Sequence, residues 1–219
     1  MPHAAGEPRV RGAVKSFGHR LPKCPARSFH KKRASEHIPQ ALLATLGPVL
    51  EKIGSLTERI RDYDRQLETI CQARYPETEL LRQVEGIGPL TALTFVLTLE
   101  DPSRFEKSRS VGAYLGLVPA RDQSGERDPQ RRISKEGDEM LRRLLVGSAH
   151  YILGPFGHDS DLRRHAEKIA SRGGKNSKKR AAVAVARKLC VLLHRLWVSA
   201  EVYDPLYNTH RRQGQEEAA

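Results

Sequence analysis

A regular alternation of apolar and polar residues runs through the second quarter of the chain. Apolar side chains recur there at alternating intervals of three and four residues, which is the heptad pattern of a coiled coil. The pattern predicts a long helix over residues 38–75, and Gly47-Pro48 should mark either a kink or the true helix start. The seam could pair two chains or pack a helix onto its own domain, and we favour pairing. Its residues are Leu46, Val49, Ile53, Leu56, Ile60, Tyr63, Leu67 and Ile70.

Helical spacing continues beyond this segment, while strand patterns are weak throughout. An apolar turn of helix ends at Glu85, and the next helix begins at Pro89 and stops at Asp101-Pro102. Further helices are predicted over residues 108–117, 141–152, 159–171 and 177–200. The chain is therefore predicted to be all-α, with a main domain over residues 76–208. On the last helix, a face away from the core carries Arg180, Arg187, Lys188 and Arg195.

The two ends of the chain lack this periodicity. Residues 1–37 are rich in Arg, Lys, His, Pro and Gly, and we expect a disordered basic arm there. Residues 209–219 are polar, and we expect a disordered tail.

The net charge of the chain indicates which kind of molecule it binds. The net charge is +12, and such a surplus destabilises a compact state unless something acidic is bound. Nucleic acid is the first candidate, an anionic membrane the second, and a merely soluble basic protein the third. No 18 apolar residues run together, so we expect no membrane span. The three cysteines are far apart and the N-terminus lacks a signal-peptide pattern, which favours reduced thiols in a cytoplasmic, nucleoid-associated protein.

The Gly86-Ile87-Gly88 turn between two apolar helices resembles a helix-hairpin-helix. Glycine lets a backbone approach a phosphate, and the first N–H groups of the following helix are unpaired and partly positive. This places a DNA-backbone contact on the turn and on Thr91 just after it. The alternative is an ordinary turn between helices without a ligand.

A polar, basic loop over residues 120–133 is the second candidate site. Ser124 could approach a phosphate there, although serine needs activation and is commonly only a turn residue. Neighbouring cations would stabilise the charge on phosphoryl oxygens. These candidate contacts are Arg121, Arg127, Arg131, Arg132 and Lys135.

Other known sites are not indicated. The Gly173-Gly174-Lys175-Asn176 run lacks the first glycine and the hydroxyl residue of a phosphate loop. His150, His158 and His165 lack metal-ligand spacing, and no C-x-x-C pair is present, so we predict no metal site.

Five motifs in order suggest a family. The hairpin turn at 86–88 is followed by AYLGLVP at 113–119, Ser124-Gly125, ISKEG at 133–137 and LRRLL at 141–145. Over residues 80–208 this order resembles the C-terminal domain of the IS-one-ten group of insertion-sequence transposases, which act with a structured bridge RNA. The resemblance implies that Ser124 is a nucleophile that attacks a DNA phosphodiester and forms a phosphoserine link.

The resemblance also implies a second domain, whose motif does not appear in this sequence. Family members carry an RNase-H-like domain whose Asp-Glu-Asp-Asp quartet holds magnesium. Residues 1–37 contain only Glu7 and Glu36 as acids, so we expect a truncated form that binds no cofactor itself and is inactive alone. Two alternatives stay open, a non-catalytic DNA-binding remnant or regulator and a helix-hairpin-helix DNA repair factor.

Overall fold

The computed structural model describes residues 2–25, 28–31, 37–120 and 132–211, with side chains from residue 6 onward in the first range. The chain divides into two units, residues 1–67 and residues 68–219, and each has its own apolar core. This division differs from the predicted boundary near residue 75. Regular elements in the described ranges are helical, apart from one isolated β-bridge, which confirms the all-α prediction.

The helix bounds follow the sequence pattern closely. The α-helices are α1 (Pro2–Ser16), α2 (Gln40–Arg74), α3 (Thr78–Arg82), α4 (Pro89–Leu99), α5 (Ser108–Tyr114), α6 (Glu139–Leu153), α7 (Asp161–Ala170) and α8 (Ser177–Ser199). A 3₁₀ turn, Pro102–Arg104, lies between α4 and α5. Helix α2 continues through Pro48, so Gly47-Pro48 is not its start.

The expectation of a disordered arm over residues 1–37 is wrong for α1. Val10 and Val14 lie one helical turn apart, and both are buried in a cluster with Phe29 and Ile38. Two well-placed valines therefore suffice to fix a helix whose composition is otherwise that of a solvated arm, because partners from later in the chain cover them.

Arg11 connects α1 to the segment that follows it. Its Nη1 donates hydrogen bonds to the carbonyl oxygens of Leu21 at 3.1 Å and Pro22 at 3.0 Å. The same guanidinium lies 5.0 Å from the centre of the Phe29 ring, a cation–π contact. Arg11, which the composition alone assigns to a basic arm, thus connects α1 to residues 21–29 of the same unit.

The predicted seam on α2 is divided between two environments. Leu46 and Ile53 are buried in the core of residues 1–67, together with Leu50, which is not a seam residue. Farther along, the seam side chains Tyr63 and Ile70 are 55% and 39% exposed. The first part of the helix therefore packs within its own unit, as in the alternative interpretation, and the later part leaves seam residues at the surface.

Helix α8 forms the centre of the unit of residues 68–219. It packs against α5, α6 and α7 through one apolar face, which is buried. His194 fixes one end of this face, since its Nε2 donates to the Pro102 carbonyl at 2.9 Å and its Nδ1 accepts from the Ser108 hydroxyl at 2.9 Å. The buried apolar residues of α8 include Val185, Leu189, Leu193 and Leu196.

The expected disordered tail is wrong at its first residues. The Thr209 hydroxyl donates to Asp161 at 3.0 Å and accepts from Arg164 at 3.1 Å, while His210 pairs with Asp204 at 2.9 Å. The Thr209 contacts hold this part of the chain to α7, since Asp161 and Arg164 lie on that helix. Residues 212–219 lie outside the described ranges.

Candidate nucleic-acid interface

Two motifs interlock through their glycines. Gly116 of AYLGLVP has φ +63°, and a Cβ there would lie 2.3 Å from the Glu136 carbonyl oxygen. Gly137 of ISKEG has φ +74°, and a Cβ there would lie 2.1 Å from the Tyr114 carbonyl oxygen. No residue with a side chain fits such an approach, so the two motifs serve to bring two backbones together.

Arg142, the first arginine of LRRLL, ties the same two motifs. Its side chain is buried, and Nη1 donates to the carbonyl oxygens of Leu115 at 3.2 Å and Glu136 at 2.9 Å. A charged donor shared by two carbonyls gives stronger bonds than a neutral one. The three motifs therefore form one structural joint.

This joint holds both stems of the loop that carries Ser124. Pro119 and Ile133 form the antiparallel bridge, the Ala120 N–H donates to the Arg132 carbonyl at 2.9 Å, and the Ser134 N–H donates to the Val118 carbonyl at 2.9 Å. The joint thus fixes the two points from which the loop departs. Four predicted site residues, Ser124, Arg121, Arg127 and Arg131, lie outside the described residues.

The predicted hairpin is a turn between α3 and α4, and packing explains most of the residue types found in it. Gly86 has φ +82°, and a Cβ there would lie 3.0 Å from the Tyr151 ring and 3.3 Å from the Ser148 carbonyl oxygen. Gly88 is exposed and extended, and a Cβ there would meet nothing within 4 Å. Only Gly88 therefore leaves open space in front of the N-terminus of α4.

The other two hairpin residues point inward. Ile87 is 5% exposed and belongs to the core, and Thr91 is 7% exposed on α4. Beside the turn, Glu85 accepts a hydrogen bond from the His158 backbone N–H at 3.0 Å and pairs with the His158 ring. These two bonds lower the pKa of Glu85, so the turn carries a stable negative charge.

A basic groove opens between α7, α8 and the stems of the Ser124 loop. Two predicted contacts, Arg132 and Lys135, lie in it, so the structure brings them together with α8. Aliphatic side chains of α8 form part of its lining, among them Val183, Val191 and Leu192. The cations that line the basic groove are Arg109, Arg132, Lys135, Arg172, Lys175, Lys179, Arg180, Arg187, Lys188 and Arg195.

Most of this charge is uncompensated. Arg195 pairs with Glu201 at 2.9 Å, whereas the other nine groove cations form no ion pair with a carboxylate in the part of the chain that is described. The two acids in the lining are engaged elsewhere, because Asp161 accepts from Asn208 and Thr209, and Asp204 accepts from the Leu206 N–H and pairs with His210. The groove is therefore a concentrated positive field.

The positive charge of the groove affects the pKa of His165. This histidine lies half-buried in the lining of the groove. Burial lowers its pKa below the ordinary value, and repulsion from Lys188, Arg172 and Lys168 lowers it further. The imidazole consequently gains its proton at a lower pH than an ordinary histidine does.

Sequence reasoning missed the groove as a site although part of its signal was visible. Arg180, Arg187 and Arg195 are seven and eight residues apart, which places them on one face of a helix. Arg109, Arg132 and Arg172 come from other segments, and only the fold brings them to that face.

Comparison with known proteins identifies the class of molecule. Residues 78–163 match the model of the transposase IS116/IS110/IS902 family. The chain belongs to this family of transposases. The matched region includes α3 to α6 and therefore both the hairpin turn and the interlocked motifs.

Individual relatives agree with this assignment. The chain is 32% identical over 147 residues to the transposase for insertion sequence element IS1111A of Coxiella burnetii, covering 67% of this chain and 39% of the relative. It is 32% identical over 155 residues to the transposase for IS1328 of Yersinia enterocolitica, covering 70% and 46%. It is also 28% identical over 114 residues to the pilin gene-inverting protein of Moraxella lacunata, covering 52% and 34%. The chain thus spans less than half the length of these curated relatives.

Two further features of the described residues concern metals and membranes. No three His, Cys, Asp or Glu side chains of the described residues cluster so as to hold a metal ion. None of the described helices combines the length and apolarity needed to cross a membrane.

Proposed function

We propose that this chain binds DNA during transposition and supplies Ser124 as the nucleophile that cuts it. The observation that carries the proposal is the joint of Gly116, Gly137 and Arg142. It holds the two stems of the Ser124 loop together at the rim of the basic groove, and Ser124 follows Ala120 by only four residues. A nucleophile on such a loop would have phosphate-binding cations close to its points of attachment.

The proposed step is a transesterification. The Ser124 hydroxyl oxygen forms a bond to phosphorus, the bond from phosphorus to one sugar oxygen breaks, and the serine proton leaves through a base to that sugar oxygen. Arg132 and Lys135, with Arg121, Arg127 and Arg131, would neutralise the charge on the phosphoryl oxygens. Magnesium, which the family's separate acidic domain would hold, would lower the same barrier.

The hairpin turn would contribute to holding the DNA. Gly88 leaves room for a phosphate at the N-terminus of α4, whereas Ile87 and Thr91 could offer only their backbone, because their side chains are buried. A bridge RNA, which the family resemblance implies, presents the same phosphates. Such a protein would act on nucleoid DNA.

The Ser124 assignment is tested with a nicked suicide DNA substrate and magnesium. The chain alone should give little cleavage. Mixed with a full-length relative whose own nucleophilic serine is replaced by alanine, it should form a DNA adduct that mass spectrometry maps to Ser124. Ser124→Ala should abolish the adduct, and the control Ser134→Ala, on the loop's stem, should retain it.

Other outcomes decide against the assignment. An adduct at another residue, or cleavage unchanged by Ser124→Ala, would show that a different group attacks. Binding of DNA without any adduct in the mixture would favour a non-catalytic regulator that competes with intact transposases.

We also propose that the exposed part of the α2 seam pairs two chains. Leu56, Ile60 and Leu67 are half-buried in the single chain, and Tyr63 is exposed, so a partner helix would cover them. Sedimentation should show a dimer that Ile60→Asp with Tyr63→Asp converts to a monomer, while Arg59→Asp does not. A monomeric wild type at tens of micromolar would refute the pairing.

A further inference from the structure

The basic groove brings many positive charges close together in the free protein. Nine cations that form no ion pair with a carboxylate of the described residues line one concave surface, and like charges at such density repel each other. A polyanion is the ligand that removes this repulsion. We propose that the groove seats the phosphate backbone of double-stranded DNA independently of base sequence, and that this binding requires neither the hairpin turn nor Ser124.

The spacing of charge on α8 fits a run of phosphates. Arg180, Arg187 and Arg195 face the groove along fifteen residues of helix, which at about 1.5 Å per residue corresponds to about 22 Å. Each strand of duplex DNA presents a phosphate about every 3.4 Å along the axis, so the helix face is as long as about six base pairs. The groove therefore has the length for several contacts with one strand.

The N-terminus of α8 adds an independent argument for an anion. Its first turn contains Lys178, Lys179 and Arg180 and no acidic residue. This is the reverse of what the helix dipole favours, since a helix N-terminus is stabilised by negative charge. A phosphate bound at the groove end beside Lys175 and Lys179 would satisfy both the cations and the free N–H groups.

The lining of the groove favours backbone contact over base contact. Between the cations of α8 the lining residues are aliphatic, namely Val183, Ala184, Val191 and Leu192. Proteins that bind single strands without sequence preference stack bases on aromatic rings. The Tyr207 ring at the end of the groove already contacts the Arg195 guanidinium at 4.8 Å. The groove is suited to a duplex that presents phosphates.

The choice of DNA among polyanions rests on the proposed function in transposition. The groove itself does not depend on Ser124 chemistry, because α7 and α8 lie outside the loop that carries this residue. The two proposals can therefore fail separately.

The test measures binding of the full chain to a fluorescein-labelled 24-base-pair duplex of arbitrary sequence by anisotropy at several salt concentrations. The triple variant Arg180→Gln, Arg187→Gln, Lys188→Gln is compared with Lys107→Gln, Arg143→Gln, Lys168→Gln, which removes the same charge outside the groove lining. Circular dichroism confirms that each variant is folded. Ser124→Ala is measured in parallel.

We expect the groove triple to weaken binding by at least about 30-fold at 0.1 M salt and to reduce the salt slope by about 2 to 3, since each lost phosphate contact removes about 0.9 from the slope. The control triple should stay within about threefold, and Ser124→Ala should bind like the wild type. Equal losses in both triples would overturn the proposal by showing a general field effect. Tighter binding of the matching single strand or RNA duplex would overturn the assignment to double-stranded DNA.

Discussion

The hairpin turn and the basic groove lie in the same unit but differ in what determines their residues. At the turn, Gly86 is required by the Tyr151 ring and the Ser148 carbonyl, Ile87 belongs to the core, and Glu85 adds negative charge. In the groove, exposed cations such as Lys175 and Lys179 contribute no packing and repel their neighbours. Packing explains most residues of the turn, which has the clearer sequence pattern, whereas packing does not explain the exposed cations of the groove.

The turn and the groove show that unpaired charge is better evidence of a bound ligand than a tightly packed glycine is. A glycine that fills a tight contact stabilises the fold whether or not a phosphate approaches it. Unpaired charge, in contrast, costs stability in the free protein and gains it only in a complex. Variants that change stability without affinity, or affinity without stability, distinguish these two kinds of residue.

The largest effect should come from Gly86→Val. A β-branched residue at φ +82° is strained, and its side chain would press on the Tyr151 ring and the Ser148 carbonyl. We expect a loss of about 3 kcal/mol in the free energy of unfolding, a sum of backbone strain and overpacking that each cost about 1 to 3 kcal/mol. Thermal melting by circular dichroism measures it, and an unchanged melting temperature would contradict the packing account.

Gly88→Val should separate the two roles at the same turn. Its Cβ meets open space, so we expect a stability loss of no more than about 1 kcal/mol, from the poorer helix cap. If a phosphate approaches there, affinity for all duplex sequences should fall about tenfold, the equivalent of one charge-assisted hydrogen bond. Unchanged affinity would make the turn purely structural and leave the groove as the DNA contact.

The smallest effect should appear in the pH dependence of His165. Its pKa is lowered in the folded protein, so the unfolded chain binds more protons below its ordinary value near 6.5, and stability falls as pH decreases through that value. Bound phosphates would offset the cations around it and raise the pKa again. Lowering the pH from 7.5 to 6 should thus strengthen DNA binding more in the wild type than in His165→Gln, because the wild type takes up a proton on binding. An identical pH dependence in both proteins would place the DNA away from His165.

Sequence periodicity predicted the helices well because each long helix carries a complete apolar stripe. Helices α4, α6 and α8 begin and end within a few residues of the expected positions. The failure at α1 has a physical reason, since Val10 and Val14 are too few to form a recognisable stripe and depend on Phe29 and Ile38 for burial.

The candidate site was predictable only where its residues are neighbours in sequence. Arg132 and Lys135 were assigned from the loop, and the structure places both in the groove. Arg109 and Arg172 come from distant segments, and their contribution depends on how α5 and α7 pack against α8. The buried role of Arg142 was equally hidden, because LRRLL does not show that one arginine faces backbone carbonyls while Arg143 stays exposed.

The joint of Gly116 and Gly137 has a consequence for how such a protein can diversify. Together with the bridge beside it, the joint brings residue 120 next to residue 132, so the segment between them begins and ends at one place. Even a doubling of loop length would cost only about 0.6 kcal/mol in closure entropy. Segments of different length and sequence could therefore replace one another between relatives without a change in the scaffold that holds them.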